Sequence, residues 1–198
     1  MNERIDQVIG ELRNIADDAR ENFGSLSGEQ LNWKPAADSW SVAQCLEHLI
    51  KTSEQFYPEF EKLASGTRKN TFWQNFSPFT RMGGRFLVNA VINDSKKAKA
   101  PSKNVVPPSD IGDDIVDRFV ENIIGVIAKI ESCSSADLKK TVVSSPFLSV
   151  MTYTLDDAYT VVVEHSRRHI RQAKRVMETE GFPKKYRLSG FSGGESSS

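Results

Sequence analysis

The sequence predicts an all-α protein: a four-helix bundle in up-down-down-up order, with a long crossover carrying short helices between the second and third helices. Three observations predict it. Apolar residues recur at three- and four-residue spacing in four long segments. No segment shows a convincing strand pattern. The first-to-second and third-to-fourth links are short enough for antiparallel neighbours, whereas the middle link, residues 65–109, is long enough to travel the bundle's length and return. A chain of 198 residues is enough for one domain with a substantial core, placed here at residues 1–188.

The first helix is predicted over residues 2–23, from the stripe Ile5, Val8, Ile9, Leu12, Ile15, Ala19 and Phe23, with Gly24 as its stop. Residues 25–39 are a connection carrying Leu31, Trp33 and Pro35. Ser41 followed by Gln44 is a capping-box pattern that starts the second helix, with Trp40 outside the cap expected to pack on Cys45 as a staple. That helix runs to Leu63 through Leu49, Phe56 and Phe60, and Pro58 predicts a kink or break within it.

The crossover opens at Gly66 and closes at Pro107-Pro108. Between them Phe72, Trp73, Phe76, Phe79, Met82, Phe86, Leu87 and Val91 are too apolar for a solvated linker, so short helices or a lid over the bundle are expected, with residues 79–92 helical. The third helix is predicted from Ser109-Asp110 through Ile115, Phe119, Ile123, Val126, Ile127 and Ile130 to Ser132. A second loop, residues 134–152, follows. The fourth helix spans Leu155 to Glu180, its inner face holding Leu155, Ala158, Val162, His165, His169, Gln172 and Val176, with Gly181 and Pro183 ending it. The glycine- and serine-rich tail, residues 189–198, is expected to be disordered.

Composition removes several function classes. Charged residues make up 26% and cancel to zero, so there is no electrostatic case for a nucleic-acid partner. No apolar run is long enough to cross a membrane, and the N-terminus mixes charge with amphipathicity in place of a signal core. The two cysteines, Cys45 and Cys133, fall in separate predicted helices and read as thiols of a reduced, cytoplasmic protein.

The chemistry is concentrated in the three histidines. His165 and His169 stand at i and i+4, so both imidazoles leave one face of the fourth helix about 6 Å apart. That spacing suits one metal ion, which takes imidazole nitrogen at about 2.0–2.1 Å. The pair lies on the apolar stripe, where an unpartnered imidazole is costly, and the remaining histidine, His48, lies on the apolar side of the second helix. Three neutral imidazoles would leave positions open for water or substrate. Zn²⁺ and Ni²⁺ suit such a set best, and Fe²⁺ and Mn²⁺ remain candidates. The pattern is not that of a zincin, because Ser166 stands where the glutamate base is needed and Glu164 points about 100° away. Gln44, one turn before His48, is either a water-orienting group or a helix cap. Cys45 reads as core before fourth ligand. Of the basic run Arg167, Arg168, Arg171, Lys174 and Arg175, Arg168 borders the histidine face and could hold an anionic substrate.

Trp33-Lys34-Pro35, then Asp38-Ser39-Trp40-Ser41-Val42-Ala43-Gln44 leading into Glu47-His48-Leu49, resembles the entry to the second helix of DinB-like (YfiT-like) metal-binding bundles. Ser145-Pro146-Phe147 and His165-Ser166-Arg167-Arg168-His169-Ile170-Arg171-Gln172 resemble that family's closing helix and its approach. The resemblance implies an up-down-down-up bundle, a divalent metal held by His48, His165 and His169, and a homodimer. It also implies thiol-dependent chemistry on a small-molecule substrate: transfer of a low-molecular-weight thiol to an electrophile, or thiol-dependent isomerisation. A thiol S-transferase of detoxification or stress response is therefore the first functional expectation. A hydrolase using the same site and a non-catalytic metal- or ligand-binding stress protein are the alternatives, with structural histidines as the plainest reading.

Overall fold

The computed structural model describes residues 2–67, 89, 102–147 and 151–184. The predicted tail 189–198 lies outside these residues. So does most of the crossover, including the aromatic run from Phe72 to Val91 and the helix predicted at 79–92, of which only Asn89 is described, as helical. The described elements are mostly helices: α1 (Glu3–Phe23), α2 (Gly28–Asn32), α3 (Val42–Glu54), α4 (Tyr57–Ala64), α5 (Ile115–Ser132) and α6 (Leu155–Glu178). They are joined by a 3₁₀ turn at Lys103–Val105 and a two-stranded sheet, β1 (Val142–Ser144) with β2 (Thr152–Thr154).

Every residue of the predicted α1 stripe is buried. Asn2 caps the helix by accepting from the Arg4 N–H, and glycine is needed at position 24 because a Cβ there would stand 2.6 Å from the Arg20 carbonyl oxygen. The connection after it contains α2, a five-residue helix with its own Ser27–Gln30 capping box. Ser41 and Gln44 form the capping box of α3 as the sequence predicts. The predicted second helix is two helices, divided at Gln55-Phe56, with Pro58 in the first turn of α4 where its missing N–H leaves no carbonyl unserved.

The helix predicted from position 109 begins at Ile115. Asn32 explains the delay. Its amide accepts from the Ile111 N–H at 3.1 Å and donates to the Ile111 carbonyl at 2.8 Å, so both backbone groups of Ile111 are taken before a helix can use them. The expectation of no strands is also corrected. Within the second loop β1 and β2 pair antiparallel, with Val143 opposite Tyr153 and both almost fully buried. Strands of three residues are too short to register as a period-two pattern.

One buried cluster draws side chains from all six helices and the sheet. Both α1 and α3 pack against α5 and α6. Between α1 and α6 the links are Arg4–Asp156 (2.7 Å), Glu11–Arg167 (3.7 Å) and Asp18–Lys174 (2.6 Å). From α3 and α4 to α5 they are Glu47–Arg118 (3.1 Å), Ser53–Asn122 (2.7 Å) and Glu61–Lys129 (2.7 Å). Among the described residues no helix is long and apolar enough to cross a membrane.

Candidate metal centre

Two capped helices carry the histidines. His48 lies two turns beyond Ser41, the N-cap of α3. His165 and His169 lie on α6, whose start is fixed by a Thr154–Asp157 capping box. Because α3 packs directly on α6, the three imidazoles meet. Ring centroids are 5.1 Å apart for His48–His165, 4.7 Å for His48–His169 and 4.6 Å for His165–His169. One ligand nitrogen from each lies within 4.8 Å of the others. His48 and His169 are buried and His165 half-buried.

The ring orientations suit a cation. The Nδ1 of His48 is 2.7 Å from the Val105 carbonyl oxygen. A carbonyl only accepts, so Nδ1 carries the proton and Nε2 keeps its lone pair. That Nε2 faces the Nε2 of His165 at 3.3 Å. Two nitrogens bound to one tetrahedral ion stand about 3.4 Å apart. The Nδ1 of His169 is buried with no hydrogen-bond partner, a cost that a cation or a bound ligand would relieve.

Electrostatics keep the imidazoles neutral. Burial pushes His165 down to about 3, helped by the neighbouring His48 and by the charge of Arg168. Burial likewise holds His169 well below the ordinary range, with His165, His48 and Arg168 adding to it. His48 is lowered by burial, against the opposing hydrogen bond to Val105. Neutral imidazoles are the form that binds metal.

The remaining predicted residues take definite places. Gln44 spends its amide on backbone: Oε1 accepts from the Ser41 N–H and Nε2 donates to the Pro108 carbonyl at 2.8 Å. Arg168 is near enough for its charge to act on His165 and His169. Glu164 is paired with Arg167 at 2.6 Å, and Ser166 donates to the Val162 carbonyl. Cys45 is fully buried in the core, its thiol pushed up to about 12 by burial, and stands outside the histidine group.

Sequence reasoning put Thr52 on the face of His48 but missed two neighbours of the site, Trp40 and the Val105 carbonyl. Trp40 lies against His48 (centroids 4.8 Å) and stacks on His169 (5.7 Å), making an aromatic wall for the site. Its place immediately before the Ser41 cap, eight residues ahead of His48, was the available signal. Thr52 Oγ1 is 3.5 Å from His48 Nε2, as its i+4 position allows. The Val105 carbonyl has no sequence signal.

A family model described as the DinB superfamily matches residues 11–173, a span that includes all three histidines. No curated protein and no solved structure gives a significant match.

Proposed function

The chain belongs to the DinB superfamily, a metal-binding family, and from that premise we propose that it is a divalent-metal-dependent enzyme, a low-molecular-weight thiol S-transferase acting on small electrophiles. The observation that carries the reading is the convergence of three neutral imidazoles, one nitrogen of each within 4.8 Å of the others. His48, His165 and His169 would hold the ion, with Zn²⁺ or Ni²⁺ favoured by the all-imidazole set over Fe²⁺ or Mn²⁺. The ion supplies a Lewis acid that lowers the pKa of a thiol or water presented to it.

The chain's own residues do the rest. Val105 fixes the His48 tautomer. Trp40 closes one side of the site with an apolar face, which excludes water and offers a surface for a flat electrophile. Arg168 places a positive charge beside the histidines that suits a carboxylate-bearing thiol. The thiol comes from outside, because both cysteines of the chain are buried. In the transfer its S–H proton leaves to solvent, the sulfur bonds to carbon of the electrophile, and the leaving group departs with the electron pair of the broken bond.

The same reading extends to topology and assembly. Partner numbers rise together between α1 and α6, and between the α3–α4 pair and α5, which supports the up-down-down-up order. A homodimer accords with the resemblance. A hydrolase is the second reading, favoured by Thr52, whose hydroxyl near His48 Nε2 could orient a water.

The test offers the Zn²⁺- or Ni²⁺-loaded protein a low-molecular-weight thiol with chlorodinitrobenzene, and separately esters and amides without thiol. The transferase reading expects thiol-dependent release of chloride that is lost on chelation and in His169→Ala. Turnover that needs no thiol contradicts it in favour of the hydrolase.

A further inference from the structure

Gln44, His48 and Lys51 stand at i, i+4 and i+7, one stripe of α3. Each donates to a backbone carbonyl of the segment that ends the crossover. Gln44 Nε2 reaches Pro108 at 2.8 Å, His48 Nδ1 reaches Val105 at 2.7 Å, and Lys51 Nζ reaches Val106 at 3.3 Å. The segment is Val105-Val106-Pro107-Pro108, and its prolines have no N–H, so it cannot build a ladder of its own. Its carbonyls must find donors elsewhere, and α3 supplies three. The Val105 side chain is fully buried, which further anchors the segment.

His48 belongs to both arrangements. One nitrogen grips Val105 and the other faces His165. The docked segment therefore selects the tautomer whose Nε2 is ready for a metal. A cation on Nε2 in turn locks that tautomer and sharpens the Nδ1–H as a donor. Two events that favour the same state of one ring must reinforce each other, and by equal factors.

We propose that Gln44 and Lys51 are positioning residues of the metal centre: by docking residues 105–108 on α3 they hold the Val105 carbonyl against His48, so that metal loading and the docking of residues 105–108 are coupled. The inference rests on the metal-binding reading. It assigns residues remote from the ion a part in its affinity. It also makes residues 105–108 responsive to occupancy of the site.

The experiment measures amide hydrogen exchange in the full chain, with and without added Zn²⁺, at Val105 and Val106, whose N–H groups bond to Ser102 and Lys103. Loading is expected to slow both by about tenfold, within the usual range of coupling between sites, while the amides of the middle of α1 serve as the reference. Two variants address the donors. Lys51→Met keeps the stem and loses the ammonium; Gln44→Glu keeps the acceptor that caps Ser41 and loses the donor to Pro108. Each is expected to weaken Zn²⁺ binding by about tenfold, at the low end of what groups supporting a metal ligand contribute, with the metal-free melting temperature of Lys51→Met unchanged. That last readout separates positioning from simple loss of stability. Stoichiometric Zn²⁺ binding with unchanged exchange at Val105 and Val106 overturns the coupling and leaves the metal centre standing. Failure to bind Zn²⁺ at all removes both.

Discussion

The indole of Trp40 is stacked on the imidazole of His169, with ring centroids 5.7 Å apart and planes 29° from parallel. The same indole is tilted against His48 at 4.8 Å. An ion held by these two rings would stand within a few ångströms of the fluorophore. Titrating metal-free protein with Ni²⁺ is therefore expected to quench tryptophan emission in proportion to occupancy. Trp40→Phe should abolish most of that change although Trp33 and Trp73 remain. Quenching that survives the substitution would place the ion elsewhere.

Neither cysteine should react in the folded protein. Cys45 is fully buried, and burial pushes its thiol up to about 12. Cys133 is buried, its thiol is raised, and it donates to the Phe60 carbonyl at 3.3 Å. Since the thiolate is the reactive form, a chromogenic disulfide reagent at pH 8 is expected to label no thiol in the native state and both after denaturation. Rapid labelling of either in the native state would return an internal nucleophile to consideration and weaken the case for an external thiol.

Metal-free protein should lose stability as pH falls below 6.5. In the unfolded chain the three imidazoles take up protons near their ordinary value of 6.5, whereas the fold holds all three lower, His165 to about 3. Unfolding therefore binds protons throughout the window between those values, and each neutral imidazole steepens the loss by up to about 1.4 kcal/mol per pH unit. Above pH 6.5 the contribution is fully present. Melting temperatures from pH 7.5 to 5 should fall more steeply for the wild type than for His165→Gln. Equal slopes would mean that His165 charges freely in the fold.

Ser41 carries the start of the helix that positions His48. Its hydroxyl accepts from the Gln44 N–H at 3.1 Å in a fully buried setting. Ser41→Ala strands that donor and is expected to lower the unfolding free energy by about 1 kcal/mol. Denaturant titration measures it, and Ser41→Asn, which can still cap, should recover most of the loss.

What could be read from the sequence was whatever repeats locally. The stripe Ile5 to Phe23, the Ser41–Gln44 cap, the break at Pro58 and the shared face of His165 and His169 all follow from spacing along one helix. Contacts between distant positions could not be read that way. The Val105 carbonyl that sets the His48 tautomer is 57 residues away, and a backbone group leaves no mark in a side-chain pattern. Asn32 delaying α5 through Ile111 is the same kind of event across 79 residues. The hairpin of β1 and β2 was lost to brevity, since three residues cannot show an alternation against background. Trp40 could be placed beside the Ser41 cap, but its contact with the histidines depends on α3 meeting α6.

One metal ion held by His48, His165 and His169 is what every chemical reading of the site depends on. Elemental analysis of untagged protein, purified without chelator, measures it directly. About one divalent transition-metal ion per chain is expected, lost in His169→Ala while the helical circular dichroism is kept. Protein that carries no metal, cannot be loaded with Zn²⁺ or Ni²⁺, and is unchanged by the substitution would contradict it and leave the three imidazoles as packing.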